Sequence, residues 1–406
     1  MALIVQKYGG TSVADIERIE NVARNIIRTK QAGHDVVVVL SAMAGETDRL
    51  IQLAFKAAVD PDKREYDALI STGEQVTVTL MAMVLRKLGY SARSFLGFQI
   101  KINTDRAYSK ARIISMDTET IKKELRTGNI VVVAGFQGVD EENNITTLGR
   151  GGSDTSAVAL AAALDADVCD IYTDVDGVYT TDPNICKKAR RLDRISYDEM
   201  LEMARAGAKV LQPRCVELAK KYDVPVYVKS SFTVEGGTLV TKEDREMEKE
   251  VVAGVTYDRD QAKITVVRVP DRPGVAALLF TPLSENNIVV DMIIQNASVD
   301  GFTDMTFTVS RKDIKEARRI VEVVAKEIGA DRLDVDEDVA KVSIIGVGMI
   351  SHSGVAARMF SVLAREGINI MMISTSEIKI SCVVKEKYTE LAVVVLHNAF
   401  GLDREN

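Results

Sequence analysis

Residues 274–296 and 354–376 repeat one another. At an offset of 80, nine of 23 positions are identical, including Gly274/Gly354, Val275/Val355, Ala276/Ala356, Phe280/Phe360, Ile288/Ile368 and Met292/Met372. Such a repeat restricts the fold more than any single motif, because both copies must form one supersecondary unit. Each copy reads as strand, glycine-bearing loop, amphipathic helix, strand, strand, helix: a small α+β sandwich of about 70 residues. The first copy has a last strand near Leu333–Val335, whereas the second reaches Asn406 without one. Val251–Tyr257 reads as a strand without a partner ahead of the first copy. It is therefore predicted to cross over and complete the second. The nearly all-charged stretch Lys242–Glu250 marks a boundary. The division expected is one domain over 1–245, a first repeat over 263–337, and a second over 338–406 completed by strand 251–257.

Upstream of that boundary, short runs rich in valine and isoleucine alternate with helical patterns. Ala2–Tyr8, Val36–Leu40, Ile130–Phe136, Val168–Thr173 and Val224–Val228 are examples. Continuous apolar runs without period-two alternation suit strands covered on both faces. The fold class expected is α/β, a mainly parallel sheet sandwiched by helices, followed by the two α+β repeats. With 406 residues and 46% hydrophobic content, two or three buried cores are available. A formal net charge of -7, spread along the chain, gives neither a nucleic-acid footprint nor a polybasic membrane surface. The four cysteines, Cys169, Cys186, Cys215 and Cys382, have no C-x-x-C spacing and read as reduced, buried residues. The N-terminal apolar run is too short for a signal peptide. No stretch is expected to reach the roughly 18 apolar residues of a membrane span. A cytoplasmic location follows as the expectation.

Five segments carry chemistry. Lys7-Tyr8-Gly9-Gly10-Thr11-Ser12-Val13 ends a strand and opens a helix, with Ser12 and Asp15 placed like a capping box. The glycines admit a ligand to the backbone, the helix start offers free N–H groups, and Lys7 supplies positive charge. An ordinary strand–turn–helix with a solvated lysine fits the same residues. Ser41–Arg49 follows the second strand and includes Thr47, while Ser71-Thr72-Gly73-Glu74-Gln75 precedes a long helical pattern. Thr47 and Glu74 suit a small zwitterion. Glu74 also fits as a first-turn acid complementing the helix dipole. Gly149-Arg150-Gly151-Gly152-Ser153-Asp154-Thr155 opens an alanine-rich helix, where Arg150 can clamp a carboxylate and Ser153 and Asp154 can cap. Thr173–Pro183 is a loop dense in turn residues. There is no Walker A sequence, and Gly346-Val347-Gly348 lacks the third glycine of a dinucleotide fingerprint.

In this order, the five segments resemble the aspartate kinases of the amino-acid kinase superfamily, and the duplicated tail resembles that family's paired ACT domains. The resemblance implies ATP-dependent phosphorylation of the aspartate β-carboxylate, opening lysine, threonine and methionine biosynthesis. It implies that Lys7 meets the transferring phosphoryl group and that Asp154 organises the charged site. It places aspartate on Thr47, Glu74, Arg150, Gly151, Gly152 and Ser153. It places ATP on Lys7, Thr173, Asp174, Tyr179 and Lys209, with Gly9, Gly10 and Ser41 near the phosphates. Mg²⁺ would sit on ATP phosphates and waters, with no protein ligand named. Asn184 departs from the arginine that some members carry after Asp-Pro, which bears on one nucleotide contact.

For the tail, the resemblance implies feedback inhibition by lysine, threonine or both. The first copy offers Asp271, Gly274, Val275, Ala276, Asp291, Gln295 and Asn296. The second offers Val355, Ala356, Asn369, Ile370, Ser376 and Glu377. A homo-oligomer built through the ACT domains is expected, and a shorter tail-only subunit started near Met247 is compatible with the sequence. Two other readings remain open here: a superfamily kinase with another acceptor, and an amino-acid sensor with an inactive kinase half.

Overall fold

The computed structural model describes residues 1–404 apart from 234–235, 245–246, 248–249 and 297–299. The charged stretch 242–250 thus lies partly outside the described residues. Two compact units divide the chain. Met1–Tyr179, Arg191–Arg205 and Lys209–Met247 form one; Thr180–Arg190, Ala206–Ala208 and Glu248–Asn406 form the other.

The first unit opens with β1 (Leu3–Tyr8), α1 (Ile16–Gln31), β2 (Asp35–Leu40), α2 (Glu46–Ala57), α3 (Lys63–Ile70) and α4 (Thr72–Lys87). It continues through β3 (Ala92–Phe95), β4 (Asn103–Thr104), β5 (Ile113–Ser115), α5 (Glu119–Arg126), β6 (Ile130–Ala134), β7 (Gln137–Val139) and β8 (Ile145–Thr147). It closes with α6 (Gly152–Leu164), β9 (Val168–Thr173), β10 (Arg194–Ser196), α7 (Tyr197–Arg205), α8 (Pro213–Tyr222), β11 (Val226–Ser230) and β12 (Thr238–Thr241).

Eight strands form one sheet in the order β10-β12-β11-β9-β1-β2-β6-β3. Every pairing is parallel except β11 with β12. The all-buried valine runs of β2 and β6 are interior strands of this sheet, because β-branched chains without a polar face need cover on both sides. On one face Tyr8, Val36, Val38, Leu40 and Val132 pack with Ile19 and Ile26 of α1 and Val78, Met81 and Leu85 of α4. The short strands of a second sheet, β5-β4-β7-β8, carry too few residues to show a pattern in sequence.

Two sequence expectations are corrected here. Ser12 does not cap α1. Gly9 and Gly10 lead into a separate 3-10 turn (Gly10–Val13), Ser12 Oγ pairs with Ser231 Oγ at 2.5 Å, and Asp15 alone caps α1 by accepting Arg18 N–H at 2.8 Å. The run Lys63–Lys87, containing α3 and α4, is also long and apolar enough to cross a membrane by composition. Just over half of its apolar window is buried inside the protein, as befits a core helix.

The second unit contains β13 (Gly254–Pro270), α9 (Val275–Glu285), β14 (Val290–Gln295), β15 (Phe302–Val309), α10 (Ile314–Ile328) and β16 (Arg332–Ile345). The other repeat adds α11 (Val355–Arg365), β17 (Met372–Thr375), β18 (Lys379–Lys385) and α12 (Thr389–Ala399). These strands make an antiparallel sheet in the order β14-β15-β13-β16-β18-β17. Both central strands serve two cores. Gly254–Asp258 of β13 pairs with Ile345–Lys341 of β16, while Lys263–Val267 pairs with Asp336–Arg332. Ile264, Val266, Leu279, Phe307 and Val321 fill the first core; Val255, Val342, Ile344, Met359, Cys382 and Leu396 fill the second. Gly274 (φ 92°) and Gly354 (φ 87°) hold the left-handed N-cap positions of α9 and α11, a conformation costly for any residue with a Cβ.

Since β13 supplies a strand to the second core, residues 338–406 expressed alone are expected to show no cooperative unfolding transition by circular dichroism. Residues 248–406 are expected to show one. A cooperative transition from the shorter fragment would make the β13 strand dispensable.

Candidate active site

The parallel register brings strand ends to one level. Tyr8 aligns with Leu40 and Tyr172, and Leu40 with Ala134, so the loops after β1, β2, β6 and β9 emerge together. In open α/β sheets this carboxyl edge is where ligands bind. Glycines let the loops converge. A Cβ on Gly10 would lie 2.8 Å from Ala42 O, one on Gly73 2.8 Å from Ala42 Cβ, and one on Gly135 2.8 Å from Ser153 Cβ and Oγ. Real Cβ atoms do not approach so closely, so glycine at these crossings lets 41–49 meet 7–13 and 71–75, and lets 149–155 pack on the end of β6.

Lys7 Nζ lies 2.5 Å from Asp154 Oδ1, with each side chain only 11% exposed. Lys7 leaves the end of the central strand β1, and Asp154 sits in the first turn of α6, whose N-cap Gly151 has φ 68°. The ammonium also lies 3.6 Å from where a Gly9 Cβ would be. A positive charge and the start of a helix therefore face one place, a setting suited to an anion.

Glu74 is buried in the first turn of α4. One carboxylate oxygen accepts Ala42 N–H at 3.1 Å and the other has no hydrogen-bond partner. Burial pushes its pKa up to about 7 against the pull of the Ala42 N–H. A first-turn acid that merely complements a helix dipole would be solvated; this one keeps an oxygen free for a cationic partner. Thr47 and Ser41 are partly exposed in the neighbouring loop and helix start. Arg150 is exposed, with no ion-pair partner among the described residues. Ser153 is buried beside Gly135, and Gly152 packs on Phe136 and Leu148.

The loop after β9 is held at several points. Thr173 Oγ1 donates to Asp174 at 3.1 Å, Tyr179 Oη donates to Asp176 at 2.9 Å, and Arg191 reaches the same Asp176 at 3.3 Å. Lys209 is exposed and, among the described residues, has no ion-pair partner.

Several site-shaping residues gave no signal in sequence. Asp67 in α3 looks like a solvated helix acid, yet it is fully buried. It accepts N–H and O–H bonds from both Ser109 and Thr147, at 2.7–3.2 Å, anchoring the approach to the 149–155 loop. Arg214 donates to Leu148 O at 2.7 Å and Ala111 O at 2.9 Å. Phe136 takes φ 68°, rare for a residue with a side chain; its N–H donates to Ser156 Oγ at 3.1 Å.

In the second unit, Asp271, Gly274, Val275, Ala276 and Gln295 line one cavity of about 380 Å³. Asn296 lies just past β14, its carbonyl accepting Thr303 Oγ1 at 2.6 Å, whereas Asp291 pairs with buried Lys341 and does not line that cavity. Val355 lines a separate cavity of about 410 Å³ with His352, Gly354 and Arg358. Ala356 packs on the second core, and Asn369, Ile370, Ser376 and Glu377 line neither cavity.

The description "amino acid kinase family" fits residues 2–230, and ACT domain models match 263–327 and 342–400. The chain belongs to the amino acid kinase family. Its relatives there are aspartate kinases. It is 59% identical over 406 residues to the aspartate kinase of Pseudomonas fluorescens (99% of this chain, 98% of the relative). It is 58% identical to the aspartokinase of Pseudomonas aeruginosa, again covering 99% of this chain and 98% of the relative. Among solved structures, E. coli aspartokinase III in complex with aspartate and ADP (R-state) superposes with a TM-score of 0.82 at 28% identity, covering 98% of this chain and 99% of that one. The same enzyme with lysine and aspartate (T-state) gives 0.78 at 29% identity over the same shares.

The raised pKa of Glu74 has a signed consequence. The fold binds this proton more tightly than the unfolded chain, so the contribution to stability is present below the ordinary value of 4.5 and is lost as pH rises through about 7. Glu74→Gln removes the penalty. It is expected to stabilise the protein by up to about 3 kcal/mol at pH 8, a gain that shrinks toward pH 4.5. Denaturant titrations across pH test this; a gain independent of pH would reject it.

Proposed function

We propose that the chain transfers the γ-phosphoryl group of ATP to the side-chain carboxylate of L-aspartate, giving 4-phospho-L-aspartate and ADP. The observation that carries this reading is the buried Lys7–Asp154 pair at the sheet's carboxyl edge. It joins through adjoining glycine loops to a carboxylate, Glu74, with one oxygen unpaired.

The acceptor carboxylate is ionised at neutral pH, so no general base is required. His34, His352 and His397 all lie outside the five segments. Two anions must instead be brought together. An aspartate oxygen forms the new bond to the γ-phosphorus while the bond to the bridging oxygen breaks, its electron pair leaving with ADP. Lys7 neutralises the charge spread over the moving group, and Asp154 fixes the ammonium in place beforehand, so little reorganisation is left for the reaction. Glu74 takes the ammonium of aspartate, and Arg150 clamps a carboxylate with help from Thr47 and Ser153. The Gly9-Gly10 turn and Gly151 offer backbone N–H groups, whereas that of Gly152 is taken by Gly149 O at 2.9 Å. Thr173, Asp174, Tyr179 and Lys209 hold the nucleotide, and Ser41 lies near its phosphates.

Among the described residues, no group of three or more His, Cys, Asp or Glu converges to hold a metal ion. A Mg²⁺ bound with the nucleotide would be carried on its phosphates and water, and no step above depends on it.

In the tail, we assign the cavity beside Asp271 and Gln295 to an inhibitory amino acid, lysine or threonine. Asp271 suits its amino group and the N-terminus of α9 its carboxylate. The exposed apolar residues Val289, Ile293 and Ile373 lie on or beside the edge strands β14 and β17, and suit pairing of ACT units from two copies.

Two outcomes test this reading. Lys7→Ala is expected to lower kcat by about 10² or more, in an ADP-release assay with hydroxylamine trapping of the acyl phosphate; near-normal kcat would remove Lys7 from the mechanism. Asp271→Ala or Gln295→Ala is expected to leave uninhibited turnover intact while weakening inhibition by lysine or threonine. Parallel loss of turnover and inhibition would contradict the assignment.

A further inference from the structure

The loop given above to the nucleotide does not end in the first unit. Thr173–Tyr179 belongs to the first and Thr180–Arg190 to the second, so the chain crosses over at Tyr179–Thr180 and returns at Arg190–Arg191. Both limbs form one short ladder. Leu192 N donates to Val178 O at 2.8 Å, Tyr179 bridges Arg191 in antiparallel fashion, and Thr180 N donates to Arg190 O at 2.8 Å.

Beyond the crossing, the tip is built into the second repeat. Val255 N donates to Thr180 O at 2.7 Å, Tyr257 Oη to Asp182 at 2.9 Å, and Lys188 to Asp403 at 3.4 Å. Ile185 packs against that repeat's core. At the centre, fully buried His397 of α12 places Nε2 2.9 Å from Thr180 Oγ1, which also accepts Arg190 N–H at 3.0 Å.

The other ring nitrogen of His397, Nδ1, is buried without a partner. An aliphatic side chain would avoid that unmet group, so a histidine here needs a reason other than packing. The Nε2–H tautomer places the ring's one proton on Thr180 Oγ1, and a proton on Nδ1 would find no acceptor. Burial lowers the ring's pKa, Lys188 and Arg190 push the same way and Asp403 opposes, so the ring is neutral at neutral pH.

We propose that Thr180 and His397 are positioning residues for ATP. They fix the ladder's tip in the second ACT repeat, and the ladder carries that constraint along the chain to Tyr179 and Asp174. A change in the ACT repeats then reaches the kinase as a change in nucleotide affinity. The proposal rests on the nucleotide role given above to Thr173–Tyr179.

The test uses the full-length enzyme. Thr180→Val keeps the shape and removes the hydroxyl. ATP KM and the Kd for ADP are expected to rise about tenfold, as for the loss of the buried hydrogen bonds to that hydroxyl. Aspartate KM should stay within about twofold, and inhibition by lysine or threonine should weaken. Thr180→Ser should restore all of these. An ATP KM unchanged in Thr180→Val, or both KM values rising together without rescue by serine, overturns the positioning role while leaving the kinase reading intact. If Thr180→Val does not fold, Tyr257→Phe removes only the hydroxyl on Asp182, and it must raise ATP KM without moving aspartate KM. A wild type that neither binds ADP nor phosphorylates aspartate overturns both readings.

Discussion

The contact between Lys7 and Asp154 sets conditions that much of the first unit meets. Withdrawing two charges from water costs several kcal/mol each, and their attraction repays this only when the geometry is held closely. That geometry needs β1 at the middle of a parallel sheet and α6 starting where the β1 loop ends. It also needs glycine at every crossing, since Gly10, Gly73, Gly135 and Gly152 each approach a neighbouring segment more closely than a Cβ allows. Replacing the pair with apolar residues would suit stability at least as well. Its retention fits the role proposed for it, a charge held ready for a phosphoryl group.

Buried polar groups in this protein fall into two kinds. Asp67 is fully buried and bonded by the N–H and O–H groups of Ser109 and Thr147; it is structural. Glu74 and His397 are buried with one atom each unmet. An unmet buried atom costs about 1–3 kcal/mol; other residues, Thr181 and Thr256 among them, also carry one, but Glu74 lies in the proposed aspartate site. In the proposed reaction the ammonium of the substrate meets the unmet oxygen of Glu74. In His397 the unmet atom is Nδ1, while Nε2 meets the Thr180 hydroxyl on a loop that begins in the other unit.

The tail is less separable than two successive domains would be. The second ACT core takes the strand Gly254–Asp258 from ahead of the first repeat, and it also receives a segment from within the kinase sequence. A ligand that favours one arrangement of the repeats can bias only elements physically tied to them. The chain provides such ties as continuous backbone rather than as a surface contact.

Much of this was legible from residues alone. The duplicated Gly-Val-Ala-Ala segments required two like units, valine runs without alternation required a doubly covered parallel sheet, and the glycine-rich segments marked the candidate site. Those features are local, set by backbone freedom and by the period of apolar residues. Others were not legible. Ser12 as a partner of Ser231 rather than a cap, Asp67 as a buried anchor, the unpaired oxygen of Glu74 and the Thr180–His397 contact all join residues distant in sequence, apart from the Glu74 atom itself. Whether a carboxylate is solvated or stranded depends on what else the fold brings near it. Sequence thus determined which elements form and which chemistry is available. Tertiary structure alone decided which polar groups are satisfied, because hydrogen bonding and desolvation are set by neighbours in space and not by neighbours along the chain.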